Sequence, residues 1–128
     1  MAAITKFEDI IAWQKARELN KIIYNESNSH YFKKDFALKD QIRKSTISIM
    51  SNIAEGFERK SNKEFTYFLN VAKGSSGELR SQLYICLDLK YITQETFNQC
   101  QALVSEISGM LNGFISYLDS QNKKPSNP

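Results

Sequence analysis

Four long segments of the chain repeat apolar side chains at three- and four-residue spacing, and none alternates as a strand would. The segment that organises the rest runs from Asp35 to Phe57. Wound at 100° per residue, it gathers Leu38, Ile42, Ser45, Ile49 and Ile53 within about 40° of one line. A second group, Ile47, Met50, Ala54 and Phe57, lies beside the first. Together they make an apolar and small arc of about 220°, far wider than the roughly 100° stripe of a surface helix. The pattern predicts a helix covered on more than one side, with Gln41, Lys44, Ser48, Ser51 and Glu55 on its remaining face. Asp35 suits its start, and Gly56 loosens its far end.

The other segments follow the same logic. A first helix from Asp9 to Glu26 turns Ala12, Ala16, Leu19, Ile22 and Ile23 inward. On its opposite side Ile10, Trp13, Arg17 and Tyr24 form a stripe of large side chains, the composition of a subunit contact. Ser61-Asn62-Lys63-Glu64 has capping-box spacing and opens a third helix, which ends near Lys90 with Phe65, Phe68, Ala72, Ser75, Leu79, Leu83 and Cys86 inward. Thr93 caps a fourth, whose stripe of Phe97, Cys100, Leu103, Val104, Ile107, Met110, Leu111, Phe114, Ile115 and Leu118 is the cleanest of all. The Asn- and Ser-rich link 25–34 contains Tyr31 and Phe32, expected to tuck over the end of the bundle.

Short links between long helices predict an all-α fold, an up-down-up-down antiparallel four-helix bundle over residues 1–120. The segment 121–128, QNKKPSNP, has no apolar anchor and is expected as a flexible tail. Folding the chain at its turns sets Ser45 level with Ser75, Ser75 with Gly109, and Ser45 with Ala16 or Lys15, a narrow waist of small residues.

Composition narrows the chemistry. A chain of 128 residues makes one domain that needs no disulfide or metal to fold. No apolar run approaches about 18 residues and Met1 to Lys6 lacks a signal-peptide core, so no membrane partner and a cytoplasmic location are expected. Cys86 and Cys100 have no C-x-x-C spacing and are expected as free, buried thiols. His30 is the single histidine, which removes a His-based metal site and a Ser-His-Asp relay. The five glycines make neither a dinucleotide fingerprint nor a P-loop. No catalytic residue, metal or cofactor is expected. Glu55 and Glu78 fall on outward faces, and Glu55 is placed to hold Arg59 one turn on.

Net charge is +3, and the excess lies N-terminally: residues 1–64 hold 12 Lys and Arg against 9 Asp and Glu, residues 65–128 five against five. Two clusters carry it, Lys33, Lys34, Lys39, Arg43 and Lys44, and then Arg59, Lys60 and Lys63. They are either solvated loops beside helix ends or phosphate-binding patches.

S-x-x-S-N-I-A-E-G (Ser48 to Gly56), F-E-D-I-x-x-W-Q-K-A (Phe7 to Ala16), L-x-x-Q-I-R (Leu38 to Arg43) and F-x-x-F-L-x-x-A-x-G-S-x-x-E-L (Phe65 to Leu79) together resemble the 23S rRNA intervening-sequence four-helix bundle proteins. The match departs at Lys33 and Thr46, where the family more often has proline and alanine. The resemblance implies a small bacterial all-helical protein, in several relatives a ring-like homopentamer. In some it is an accessory to the reverse transcriptase of a diversity-generating retroelement, with nucleic acid as partner. It identifies no active site. Two functional readings of different class follow. One is an oligomeric module that binds RNA or DNA through the basic clusters, and the other a structural protein-interaction bundle, for example a partner of a reverse transcriptase. For the oligomer, the contact is expected through Ile10, Trp13, Arg17, Tyr24, Ile47, Met50, Ala54 and Phe57, which one four-helix core is not expected to bury.

Overall fold

The computed structural model describes residues 3–122. Helix α1 spans Ile11–Ser27, α2 Phe36–Phe57, α3 Asn62–Asp88 and α4 Gln94–Asn122, and short 3-10 turns at Phe7–Asp9 and Phe32–Lys34 precede α1 and α2. No strand occurs among the described residues. Each helix packs on its neighbour in sequence and α1 closes the ring against α4, which makes a four-helix bundle. α4 continues through Asn122, into the segment expected as a tail; residues 123–128 of that tail lie outside the described residues.

The boundaries have local causes. The Asp35 carboxylate accepts the Leu38 N–H at 3.1 Å and caps α2, leaving one fewer orphan donor in its first turn. Ser61 does the same for α3 through the Glu64 N–H, and Thr93 for α4 through the Thr96 N–H. α3 ends in a Schellman motif: the Tyr91 N–H bonds the Cys86 carbonyl and the Lys90 N–H that of Leu87. Lys90 takes the left-handed conformation, φ 62°, that glycine usually fills there.

The core follows the predicted stripes. Ala12, Ala16, Leu19 and Ile23 meet Ile42, Ile49 and Ile53, Leu69, Leu79 and Leu83, and Val104, Ile107 and Leu111, all buried. Leu69 and Ser76 join the core unpredicted, Phe68 stays half-buried, and both cysteines are free and buried. Gly56 does not loosen α2. It lies buried inside the helix, where α3 approaches so closely that a Cβ would meet Phe65 Cδ1 and Phe68 Cβ at 2.8 Å.

The waist is real in composition and displaced in register. Ser75 donates to Ser48 rather than lying opposite Ser45, Oγ to Oγ at 2.7 Å, so the α2–α3 turn is centred about one to two residues later than expected. Ser45 is buried and bonds the Gln41 carbonyl one turn back at 3.1 Å. Between α1 and α2 the shift is larger. Asn20 stands level with Thr46, whose carbonyl it bonds at 3.1 Å, because the turn Phe32–Lys34 moves the midpoint of the link toward α2. Gly109 is exposed with open space at its Cα, so it takes no part in the waist.

Candidate nucleic-acid interface

At one end of the bundle the α1–α2 link lies beside the α3–α4 turn. Phe32 is the anchor: it is buried and stacks on Tyr91, ring centroids 5.0 Å apart and planes 21° from parallel. The Tyr91 hydroxyl donates to the second oxygen of the Asp35 carboxylate at 2.9 Å. One aspartate therefore caps α2 and pins the α3–α4 turn to it. The bond it donates to the carboxylate also holds the Tyr91 phenol above its ordinary pKa.

With Phe32 turned in, its neighbour Tyr31 is turned out. Both were expected to cover the bundle end, yet Tyr31 is 77% exposed, and Phe36 at the first position of α2 is 72% exposed. Lysines flank the two rings, with Lys34 Nζ 5.9 Å from the Tyr31 centroid and Lys39 Nζ 5.1 Å from that of Phe36. Ser29, His30, Tyr31, Phe32, Lys90 and Tyr91 line a cleft of about 230 Å³. Lys90 comes from the other turn and escapes a linear reading of charge; the up-down topology is the signal that brings it here.

The structure sorts the eight basic candidates. Lys33, Lys34 and Lys39 surround this end and, like Lys90, have no carboxylate within ion-pair distance among the described residues. Arg43 is occupied: its guanidinium lies 4.4 Å from the Tyr24 centroid, and its Nε donates to Ser27 Oγ at 2.8 Å. Lys44 pairs with Asp40 at 3.1 Å. Residues 30–44 still carry five cations against two carboxylates, a net +3. Arg59, Lys60 and Lys63 sit at the far end of α2, about 30 Å away at 1.5 Å per residue. There Arg59 is held by Glu55 at 2.8 Å and lies 3.9 Å from Glu64, and with Glu58 the segment 55–64 sums to zero. The two clusters do not form one surface.

The stripe expected at a subunit contact is corrected in part. Ile10 is 2% exposed and belongs to the core. Across the α1–α2 seam Asn20 meets Thr46 and Met50, and Tyr24 meets Arg43. Trp13, Met50 and Phe57 are half-buried against the core, Trp13 edge-on to Phe7 at 5.2 Å and Phe57 edge-on to Phe65 at 6.0 Å. Ala54 is half-buried, and Arg17, Tyr24 and Ile47 stay exposed. One chain thus buries more of these residues than the width of their arcs implied.

Among the described residues no three His, Cys, Asp or Glu side chains converge as metal ligands, and no helix is long and apolar enough to cross a membrane. Burial, with Cys100 adding, pushes the Cys86 thiol up to about 12; burial, with Glu26 adding, pushes Cys100 up to about 11.

Fold and site define a small all-helical bundle with a basic, aromatic rim. The profile of the 23S rRNA-intervening sequence proteins matches residues 8–113, and the chain belongs to that family. A crystal structure of a protein of unknown function from the S23 ribosomal protein family of Bacteroides thetaiotaomicron superposes with a TM-score of 0.75 at 26% identity, covering 83% of this chain and 96% of that one. No curated protein matches the chain significantly.

Proposed function

We propose that this protein is a non-enzymatic accessory module that binds RNA or DNA weakly, without strong sequence preference, through the rim of Lys33, Lys34, Lys39 and Lys90. The carrying observation is that these four ammonium groups share one end of the bundle and, among the described residues, none lies within ion-pair distance of a carboxylate. The family's name, and that of its Bacteroides relative, support an RNA setting. Absence of catalysis is supported by a single histidine and by thiols that stay protonated near neutral pH. Free buried thiols are in keeping with work in the cytoplasm. Assembly into a homo-oligomer, a pentamer by the family resemblance, would repeat the rim about an axis and lengthen the basic surface.

Fluorescence polarisation of labelled RNA and DNA at low and moderate salt tests the reading. Wild type binds, and the slope of log K against log salt shrinks by about 0.7 to 0.9 for each rim lysine lost. Changing Lys33, Lys34 and Lys39 to Glu abolishes binding, whereas the same change at Lys60 and Lys63 leaves it near wild type. Salt-independent binding, or none, defeats it.

The second reading is a bundle that docks on protein, with a reverse transcriptase as one candidate. It is favoured by the outward face of α3, where Tyr67, Ile85 and Leu89 lie within about 40° of one line and are exposed. Light scattering separates self-association from other docking. Wild type is expected as an oligomer that Ile85→Glu with Leu89→Glu, or Trp13→Ala on the α1 side, dissociates. A monomer at micromolar concentration would sink the oligomer.

A further inference from the structure

We infer that the rim takes single-stranded rather than duplex nucleic acid, with Tyr31 and Phe36 stacking on unpaired bases while the surrounding lysines hold the adjoining phosphates. This rests on the nucleic-acid reading above and narrows it to one form of ligand.

The argument begins with two rings in the wrong place for a core. Tyr31 and Phe36 are the two most exposed large hydrophobic side chains of the described residues, at 77% and 72%. Their exposure is enforced. Phe32 fills the space beneath the link and is locked by its stack on Tyr91, so Tyr31 has no room inward, and the Asp35 cap fixes where α2 begins and hence where Phe36 projects. Each ring has a lysine ammonium within 6 Å of its centroid. Lysine is depleted at the centres of protein interfaces, so a pair of rings ringed by unpaired lysines is a poor match to a protein partner. It matches a strand-binding surface, where cations follow the backbone and aromatic rings take successive bases.

The preference for a single strand follows from what each nucleic acid presents. A duplex keeps its base faces stacked inside and offers a projecting ring only sugar, phosphate and base edges. An unpaired strand offers the faces themselves. The cleft of about 230 Å³ beside Tyr31 gives that strand a path, and Lys90 stands at its edge. Lys90 holds φ 62°, where glycine would be at ease and a lysine is strained, so the cation is kept at the rim against the local backbone preference.

The test titrates a labelled oligothymidylate of about 15 nucleotides, and a duplex of the same length, against wild type and four variants at low salt. Wild type binds the strand more tightly than the duplex. Tyr31→Ala and Phe36→Ala each weaken strand binding by roughly fivefold to a hundredfold and leave duplex binding unchanged, while Tyr31→Phe keeps wild-type affinity. Lys90→Gly weakens both ligands and does not lower the melting temperature, because it relieves the positive φ. Equal binding of strand and duplex, with ring variants indistinguishable from wild type, overturns the stacking inference and leaves the lysine rim standing. No binding of either ligand by wild type overturns the nucleic-acid reading with it. Dissociation of an oligomer by the ring variants in light scattering, without a change in strand affinity, would make the rings a protein contact and also overturn the inference.

Discussion

Gly56, next to last in α2, and Gly74, mid-way along α3, are both helical glycines, and they should respond oppositely to one methyl group. At Gly56 a Cβ would sit 2.8 Å from Phe68 Cβ and 3.3 Å from the Phe65 carbonyl oxygen, atoms that cannot swing aside. Gly56→Ala should therefore cost about 1 to 3 kcal/mol, more than the roughly 1 kcal/mol that alanine gains as a helix former. Gly74 has open space around it, so Gly74→Ala should stabilise by about 0.5 to 1 kcal/mol. Thermal melts of the two variants check the pair, with 1 kcal/mol moving the midpoint by roughly 3 to 5 °C in a chain of this size. Thr46 makes a sharper case. It is fully buried and its hydroxyl has no hydrogen-bond partner, so Thr46→Val, which keeps the shape and removes the orphan, should raise stability by about 1 kcal/mol. A fall in melting temperature would show that the hydroxyl is satisfied. Sequence placed Thr46 only as a departure from its family, because an unpaired hydroxyl is visible only once its neighbours are known.

Faces were more legible than registers at the scale of the helix. The stripes of α3 and α4 predicted most of what is buried, because a 3.6-residue period marks a face whatever lies opposite. Caps were legible too, since Asp35, Ser61 and Thr93 act within three residues of themselves. Axial level was not: Ser48, read onto the remaining face of α2, stands only about 60° round the helix and one turn along from Ser45, yet it is Ser48 that meets Ser75, and only the turn geometry chooses. Ser75→Leu should remove the bond to Ser48 and overpack the α2–α3 crossing, costing about 1 to 3 kcal/mol, and Ser45→Leu should cost a similar amount from its buried site. Denaturant unfolding decides it; wild-type midpoints for both would mean these crossings have slack.

For the molecule as a whole, the two thiols predict a response to alkali. The folded chain holds Cys86 and Cys100 protonated to about 12 and about 11, against an ordinary 9.0, so above pH 9 the unfolded chain loses these protons first. Stability from this source is complete below pH 9 and declines as pH rises toward 11 to 12. Denaturant midpoints taken below and above pH 9 should show the fall, and a Cys86→Ala, Cys100→Ala variant should show a shallower one. The same global protection means thiol reagents near neutral pH should react only as fast as the chain unfolds.

The sequence by itself determined the helices, their caps, their buried faces, the free thiols and the family, because periodicity, capping and motif spacing all act along the chain over short distances. Tertiary structure decided what those faces meet. The wide apolar arcs of α1 and α2 had looked like a surplus for a second subunit, and one chain takes up part of it: Ile10 enters the core, and Trp13, Met50, Ala54 and Phe57 are half-buried. Two basic clusters looked equivalent, yet the segment around Arg59 holds as many carboxylates as cations while the other cluster gains Lys90 from a turn more than fifty residues away. Both outcomes depend on helix register and on which turns share an end of the bundle, and those are set by loop geometry and long-range packing that no local pattern encodes.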